Sequence, residues 1–370
     1  FIITSPESLR GKELSKHLKN RITLAIVDEA HSAIRDAGYR FAYARLGEML
    51  NYINPTYRLA CTATCPAPDR RALIQSLHLE NPVVVTAPVA RENISIRIVD
   101  RDQYTLAKIL NQHRGQPGLI FVATIRTGNA LHAALRSSGR NVGLYHGELP
   151  AKEKKRVQTA FMANEVPVVI ATDAFILGLD KSDIRFCVHY DPSKSIEDWC
   201  QGFGRVGRDG DQAWAYGAFD EGADEGFNSR RFLIQSTFPQ VDDLYSVWTW
   251  IGQAPYRGES AKTIGERVLG RQGKYSGPAI LSTLQRHRLL DARPNPDDGR
   301  RRLYSTCGDF DSVDWRKYEN EKADALARLN QLDELTMLPE AEIPEAIDEY
   351  FAGEAREEFN PELYDPELDD

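Results

Sequence analysis

Asp28, Glu29, Ala30 and His31 stand together directly after the apolar run 24–27. A short apolar run of this kind reads as a buried parallel strand. Acids leaving the carboxyl end of such a strand sit where open α/β sheets bind ligands. In a nucleotide-hydrolysing fold the first carboxylate of such a pair orders Mg²⁺, and the second positions or deprotonates the attacking water. A second cluster, 201–210, sets Arg205 and Arg208 three apart among glycines 202, 204, 207 and 210. On a helix, residues three apart share a face. Two guanidinium groups placed so could reach charge developing on a transferring γ-phosphoryl group. Taken without its neighbours, the same segment also reads as a Gly-rich turn bearing surface arginines.

The elements that must position these groups follow from the hydrophobic pattern. Strand-like apolar runs at 1–3, 24–27, 57–61, 119–122, 141–145, 168–171 and 186–190 alternate with amphipathic segments up to about residue 220. Among those segments are 126–138, stopped by Gly139, and 150–163, opened by Pro150 at a first-turn position. Such alternation predicts βαβ units and parallel sheets. Each chemically equipped segment follows a strand end: Pro6 in Thr4–Glu7, Asp28–His31, Thr62 and Thr64, Thr124, His146, and Thr172. Hydroxyls and backbone amides at strand ends suit phosphate contacts, which hold a nucleic-acid backbone without reading its sequence. Segment 79–100, with Pro82 and Pro88, has little helical period and predicts a domain junction near 92. Beyond 225 the pattern becomes helix (260–269), helix (277–290) and a turn-containing hairpin over 293–304 with Arg300, Arg301 and Arg302, which suggests a winged-helix-like module. Charged helices are predicted over 314–335 and 340–352, and disorder beyond.

Charge is unevenly placed. Residues 331–370 carry 15 acidic residues and one basic, while 1–330 carry 45 basic against 39 acidic. The mildly basic body is compatible with a polyanionic partner, and the acid is confined to one tail. Hydrophobic content of 42% is ordinary for a globular protein, and no apolar run approaches membrane-spanning length. Five cysteines (61, 65, 187, 200, 307) contain no C-x₂-C pair. That spacing predicts a reduced, cytoplasmic protein and argues against a structural zinc site.

With these residues in view, the chain resembles the superfamily 2 helicases, and within them the RecQ family of DNA helicases. The matching pieces, in order, are Ser5–Leu9, Asp28–His31, Leu59–Thr64, Gly118–Phe121, Tyr145–Leu149, Val169–Phe175 with Gly178–Lys181, and Gln201–Gly210. Arg91-Glu92-Asn93-Ile94 resembles the family's junction between its two RecA-like halves. The resemblance implies an α/β chain of two RecA-like parallel-sheet domains. The first, incomplete, would span 1–91 and the second 92–225, followed by a winged-helix-like module (240–310), a helical segment (311–353) and an acidic disordered tail (354–370). It implies ATP and Mg²⁺ as cofactors, with Asp28 and Glu29 handling Mg²⁺ and water, and His31 coupling nucleotide state to the core. Asp180 and Gln201 would lie near the nucleotide, and Arg205 and Arg208 would touch its γ-phosphate. Pro6, Thr62, Thr64, Thr124 and Thr172 would serve the DNA strand. In Gly38–Tyr43, Tyr39 and Phe41 are rings able to stack on bases or to pack under their loop. The implied activity is ATP-driven unwinding of duplex DNA, 3′ to 5′ along a single strand, sequence-independent, in a nucleoid-associated protein without membrane contact.

Departures from the family pattern set further expectations. No GxxxxGK[ST] loop occurs, since Gly273-Lys274 runs on into Tyr275. The family carries that loop ahead of the segment matching 1–9, so the expectation is a chain cut from a longer one that by itself hydrolyses little ATP. The family's Trp is missing from 38–43, Ile176 stands for a usual glycine and Gly202 for a usual acid. The family's zinc module has four cysteines, and only Cys307 lies beyond 200, so no zinc is expected. Two other readings stay open: a non-enzymatic nucleic-acid-binding remnant, and an RNA helicase of the same superfamily.

Overall fold

The structure, a computed structural model, describes residues 1–9, 12–35, 41–172, 180–219, 234, 237–253, 258–296 and 301–353. The chain divides into two compact units. One comprises Phe1–Thr62, Ala72–Glu80 and Asn228–Ala327; the other comprises Ala63–Arg71, Asn81–Phe227 and Arg328–Asp370.

In the first unit, β1 (Leu24–Val27) and β2 (Tyr57–Ala60) pair in parallel, with Leu24 opposite Tyr57 and Val27 opposite Ala60. The helix Leu46–Ile53 buries Leu46, Leu50 and Ile53 and stops at Asn54, whose backbone is left-handed (φ 56°). The strand expected over 1–3 does not form, and Phe1, Ile2 and Ile3 are exposed. A strand needs a ladder partner, and among the described residues β1 and β2 pair only with each other.

The second unit holds a six-stranded sheet: β3 (Ile94–Val99), β4 (Gly118–Phe121), β5 (Val142–Tyr145), β6 (Val168–Ala171), β7 (Phe186–His189) and β8 (Ala213–Ala218). The strand order is β3-β8-β7-β4-β6-β5 and every pairing is parallel. Both faces are covered, as parallel sheets require. Ile120, Val168, Ile170, Phe186 and Val188 point into one core with Leu106, Ile109, Leu131 and Leu135 from the helices Gln103–Gln112 and Ile125–Ser137. Leu119, Phe121, Val169 and Cys187 point into the other, beside Phe161, Trp199 and Phe203. Leu332, Leu335, Ile343, Ile347 and Phe351 join that second core, so the carboxy-terminal helices are part of this unit's packing. Strands β3 and β8 were not expected from the pattern: one lies in the segment read as a junction, and the other, Ala-Trp-Ala-Tyr-Gly-Ala, lacks β-branched residues.

In residues 241–318 of the first unit, the helices Val241–Gln253, Ala261–Leu269 and Gly273–Arg286 precede the antiparallel pair β9 (Leu290–Pro294) and β10 (Arg302–Thr306). Their core contains Leu244, Ile264, Leu284, Leu289, Phe310 and Tyr318. Arg300 and the turn at 297–300 lie outside the described residues, as does the acidic stretch 354–370.

Candidate functional site

The acidic pair sits where β1 ends. Asp28 is exposed, and its Oδ1 accepts the Glu29 N–H at 2.9 Å. Glu29 is left-handed (φ 48°), a conformation uncommon for a residue with a side chain. Hydrogen bonds over-determine it: Ala30 N–H donates to the Cys61 carbonyl and Cys61 N–H to that of Val27, both at 2.9 Å. The turn after β1 is thereby tied to the segment after β2. His31 completes the link, with Nδ1 2.9 Å from Thr62 Oγ1 and 3.5 Å from Glu29 Oε2. With its proton on Nδ1, the ring donates to Thr62 while facing the Glu29 carboxylate. Asp28, Glu29, His31 and Thr62 therefore form one connected group. Two carboxylates of this kind fit Mg²⁺, which keeps several waters and takes its remaining oxygens from a substrate phosphate. Among the described residues no group of three or more His, Cys, Asp or Glu is arranged to hold a metal ion.

In the second unit the helix Ile196–Phe203 starts at Ser195, whose Oγ accepts the Asp198 N–H at 3.2 Å. Its buried Ile196, Trp199 and Phe203 fix its face, and Gln201 is half-buried. The turn that follows is held from outside the helix. Arg91 Nη2 donates to the carbonyls of Gly204 (3.1 Å) and Val206 (2.5 Å), and Nη1 to Gly207 (3.3 Å). Asn93 Nδ2 donates to the carbonyls of Gly207 and Asp211 at 2.8 Å each. Gly207 is left-handed (φ 57°), and a Cβ there would lie 2.6 Å from Asn93 Nδ2, so glycine is required. Val206 is buried, Arg205 is half-buried and Arg208 is exposed. Arg208 Nη1 meets Asp180 Oδ1 at 3.0 Å. Asp209 pairs with Arg185, whose hydrogen bond holds its carboxyl below the usual range. Burial, and then the charge of Arg208, pull the Arg91 guanidinium below its ordinary value.

Gly202 has a packing cause of its own. A Cβ there would stand 2.2 Å from His189 Nε2. His189 is buried against Phe121, and burial pushes its pKa down to about 3, so the ring is neutral. The acid usual in the family has no room beside this imidazole.

The remaining candidates are less connected. Thr124 caps the helix Ile125–Ser137, accepting the Thr127 N–H at 3.0 Å. Thr172 follows β6 and donates its N–H to the Tyr145 carbonyl at 3.2 Å. These two stand at the carboxyl ends of neighbouring strands β4 and β6. Asp191 fastens the same edge, accepting from Ala123 N–H (2.8 Å) and Arg101 (2.5 Å). His146 is buried, with no hydrogen-bond partner at Nδ1 among the described residues. Thr64 is buried and Pro6 opens the short helix Pro6–Leu9. Tyr39 and the ring of Phe41 lie outside the described residues. Sequence reasoning missed Arg91, Asn93 and Asp191 as holders of the edge. The Arg-x-Asn spacing at the junction was the available signal for the first two.

Residues 103–210 match the helicase conserved C-terminal domain. The chain is 31% identical over 247 residues to the ATP-dependent DNA helicase RecQ of Pasteurella multocida, covering 65% of this chain and 38% of that protein. It is 30% identical over 246 residues to a putative ATP-dependent RNA helicase of Acanthamoeba polyphaga mimivirus, covering 64% of this chain and 43% of that protein. The chain thus spans about two fifths of the length of these curated relatives. In fold it is similar to a variant of S. cerevisiae Dbp5 bound to RNA and ADP BeF3, with a TM-score of 0.52 and 21% identity over 61% of this chain and 60% of that one.

Proposed function

We propose that this chain, a member of the RecQ family of superfamily 2 helicases, supplies both chemical halves of an ATP-driven DNA translocase that unwinds duplexes 3′ to 5′. The observation that carries the reading is the hydrogen-bonded group at the end of β1. Glu29, His31 and Thr62 form a short relay from an acid suited to water activation toward the segment after β2. In this reading Asp28 and Glu29 would hold Mg²⁺, which would supply charge to polarise the phosphate oxygens. Glu29 takes the proton of the attacking water, and His31 passes the change to Thr62. Arg205 and Arg208 stabilise charge on the γ-phosphate, with Asp180 and Gln201 beside the nucleotide. Thr124 and Thr172, at adjacent strand ends, hold the DNA backbone, so binding is sequence-independent and falls with salt. Residues 240–310 act as a winged-helix-like module whose hairpin carries Arg301 and Arg302.

The test is ATP turnover by the complete gene product bearing a GxxxxGK[ST] loop, with single-stranded DNA or RNA as stimulant. Stronger stimulation by DNA, and unwinding only of duplexes with a 3′ tail, are expected. Stronger stimulation by RNA would favour the second reading, an RNA helicase, which the mimivirus relative supports.

A further inference from the structure

We infer that Arg91 is a positioning residue for Arg205 and Arg208, and that Asp348 in turn sets Arg91; this rests on the reading of those two arginines as the γ-phosphate contacts. Carbonyls in a turn have no ladder or helix partner and need donors from elsewhere. In the turn after Ile196–Phe203, three carbonyls meet one guanidinium: Arg91 donates to those of residues 204, 206 and 207. From the other side, Gly207 N–H donates to the Ile184 carbonyl at 2.8 Å and Asn93 grips the Gly207 carbonyl. The backbone on both sides of Arg205, and just before Arg208, is therefore pinned at several points. The planar fork reaches these three carbonyls from two separate nitrogens, a spread that the single nitrogen of an ammonium does not have.

Arg91 itself hangs from a fixed point. Asp348 Oδ1 accepts the N–H groups of Val89 (2.7 Å) and Ala90 (2.9 Å), the residues just ahead of it. Asp348 belongs to the helix Ile343–Ala352, seated by buried Ile343, Ile347 and Phe351. On the strand side, Glu340 accepts the Ile98 N–H at 3.0 Å and pairs with Arg97 at 3.3 Å. The helix Ile343–Ala352 and the turn before it thus brace the segment 89–98 on both sides of Arg91 and Asn93, and through them the arginine turn. This is a physical chain of contacts within one unit, and its coupling is measurable.

Two measurements decide it. In the 370-residue chain, amide hydrogen exchange should quicken by about tenfold over residues 203–211 in Arg91→Ala, with β4, β6 and β7 unchanged. Asp348→Asn should quicken exchange over 87–92 strongly and over 203–211 more weakly. Unchanged exchange at 203–211 in Arg91→Ala would overturn the clamp, and unchanged exchange in Asp348→Asn the brace. In the complete gene product, Arg91→Lys should lower DNA-stimulated kcat by about 10- to 100-fold while KM for ATP stays within a few-fold, the signature of misplaced rather than missing groups. Wild-type kcat in Arg91→Lys, beside an inactive Arg205→Ala, would overturn the positioning role. Full turnover in Arg205→Ala would instead sink the reading beneath it, and the exchange data would still decide the clamp.

Discussion

The two parallel sheets among the described residues are built from the same kind of sequence and protected very differently. In β4, β6 and β7 all four residues are buried, because helices cover both faces. In β1 and β2 the positions alternate between exposed and half-buried, leaving Leu24, Ile26, Tyr57 and Leu59 between 46% and 64% exposed. The acid pair and His31 follow a strand of the less covered sheet, whereas Arg205 and Arg208 lie in a turn of the unit that holds the covered one. Placement of the acids depends on hydrogen bonds of the turn (Ala30 to Cys61, His31 to Thr62), whereas the arginine turn has a packed core behind it as well. A well-placed functional group therefore does not require a well-buried strand.

The largest effect expected is on turnover. Glu29→Gln keeps the shape of the relay and removes the base, so kcat of the complete gene product should fall by about 10²–10⁴-fold. DNA binding, measured by fluorescence anisotropy at fixed salt, should be unchanged. Wild-type turnover in this variant would remove Glu29 from the chemistry.

Next comes a contrast of ion pairs. Arg328 reaches Glu197 and also Asp69 at 2.6 Å, while Tyr350 donates to Glu197 at 2.8 Å. Burial opposes the Arg328 charge, but the two carboxylates more than offset it and hold its pKa above the ordinary value. The Glu197 side chain is wholly buried. Removing the cation strands that carboxylate, so Arg328→Ala should cost about 3–5 kcal/mol in urea unfolding. Arg45→Ala breaks the exposed Arg45–Glu48 pair of the other unit and should cost only about 0–1 kcal/mol. Equal losses would show that the second unit's stability does not depend on this buried network.

The sheets themselves give the third test. Ile120→Ala opens a cavity in a fully buried strand and should cost about 2–5 kcal/mol. Ile26→Ala, at an exposed position of β1, should cost less than about 1 kcal/mol. Similar shifts in the urea midpoint would mean that β1 is covered in solution.

Much of this organisation was legible in the residues. Apolar runs four or five residues long between turn-formers matched β1, β2, β4, β5, β6 and β7 to within one residue, and Gly139 and Pro150 marked helix ends because their backbone restrictions are local. Pro150 itself precedes the first helical residue rather than occupying it. The run at 1–3 was misread because strand formation is a property of neighbours, not of side chains alone. β8 was missed because Gly217 fits where a side chain would meet Trp199 and Phe219, a tertiary fact. At the site, residue types marked the acids, the arginines and the hydroxyls. The carbonyls that Arg91 grips carry no signal in sequence, and neither does the Asp348 bond to backbone N–H groups some 258 residues away.

The smallest effect is a slope. His189, buried on β7, is pushed by burial to about 3, whereas an unfolded chain has an imidazole near 6.5. As pH falls below about 6.5, the unfolded state takes up a proton that the folded state refuses. Its contribution to stability is therefore complete above that pH and is lost progressively down to about 3, at up to about 1.4 kcal/mol per pH unit. Burial likewise lowers His113, in the same unit, and His287, in the other, so some acid sensitivity is shared. His189→Gln cannot charge, so the stability of that variant, followed by urea unfolding from about pH 7 down to about pH 4.5, should fall less steeply by close to one proton's worth. An unchanged slope would mean that water reaches His189 in the folded protein. It would also undo the explanation of Gly202 as the residue that closes over a neutral ring.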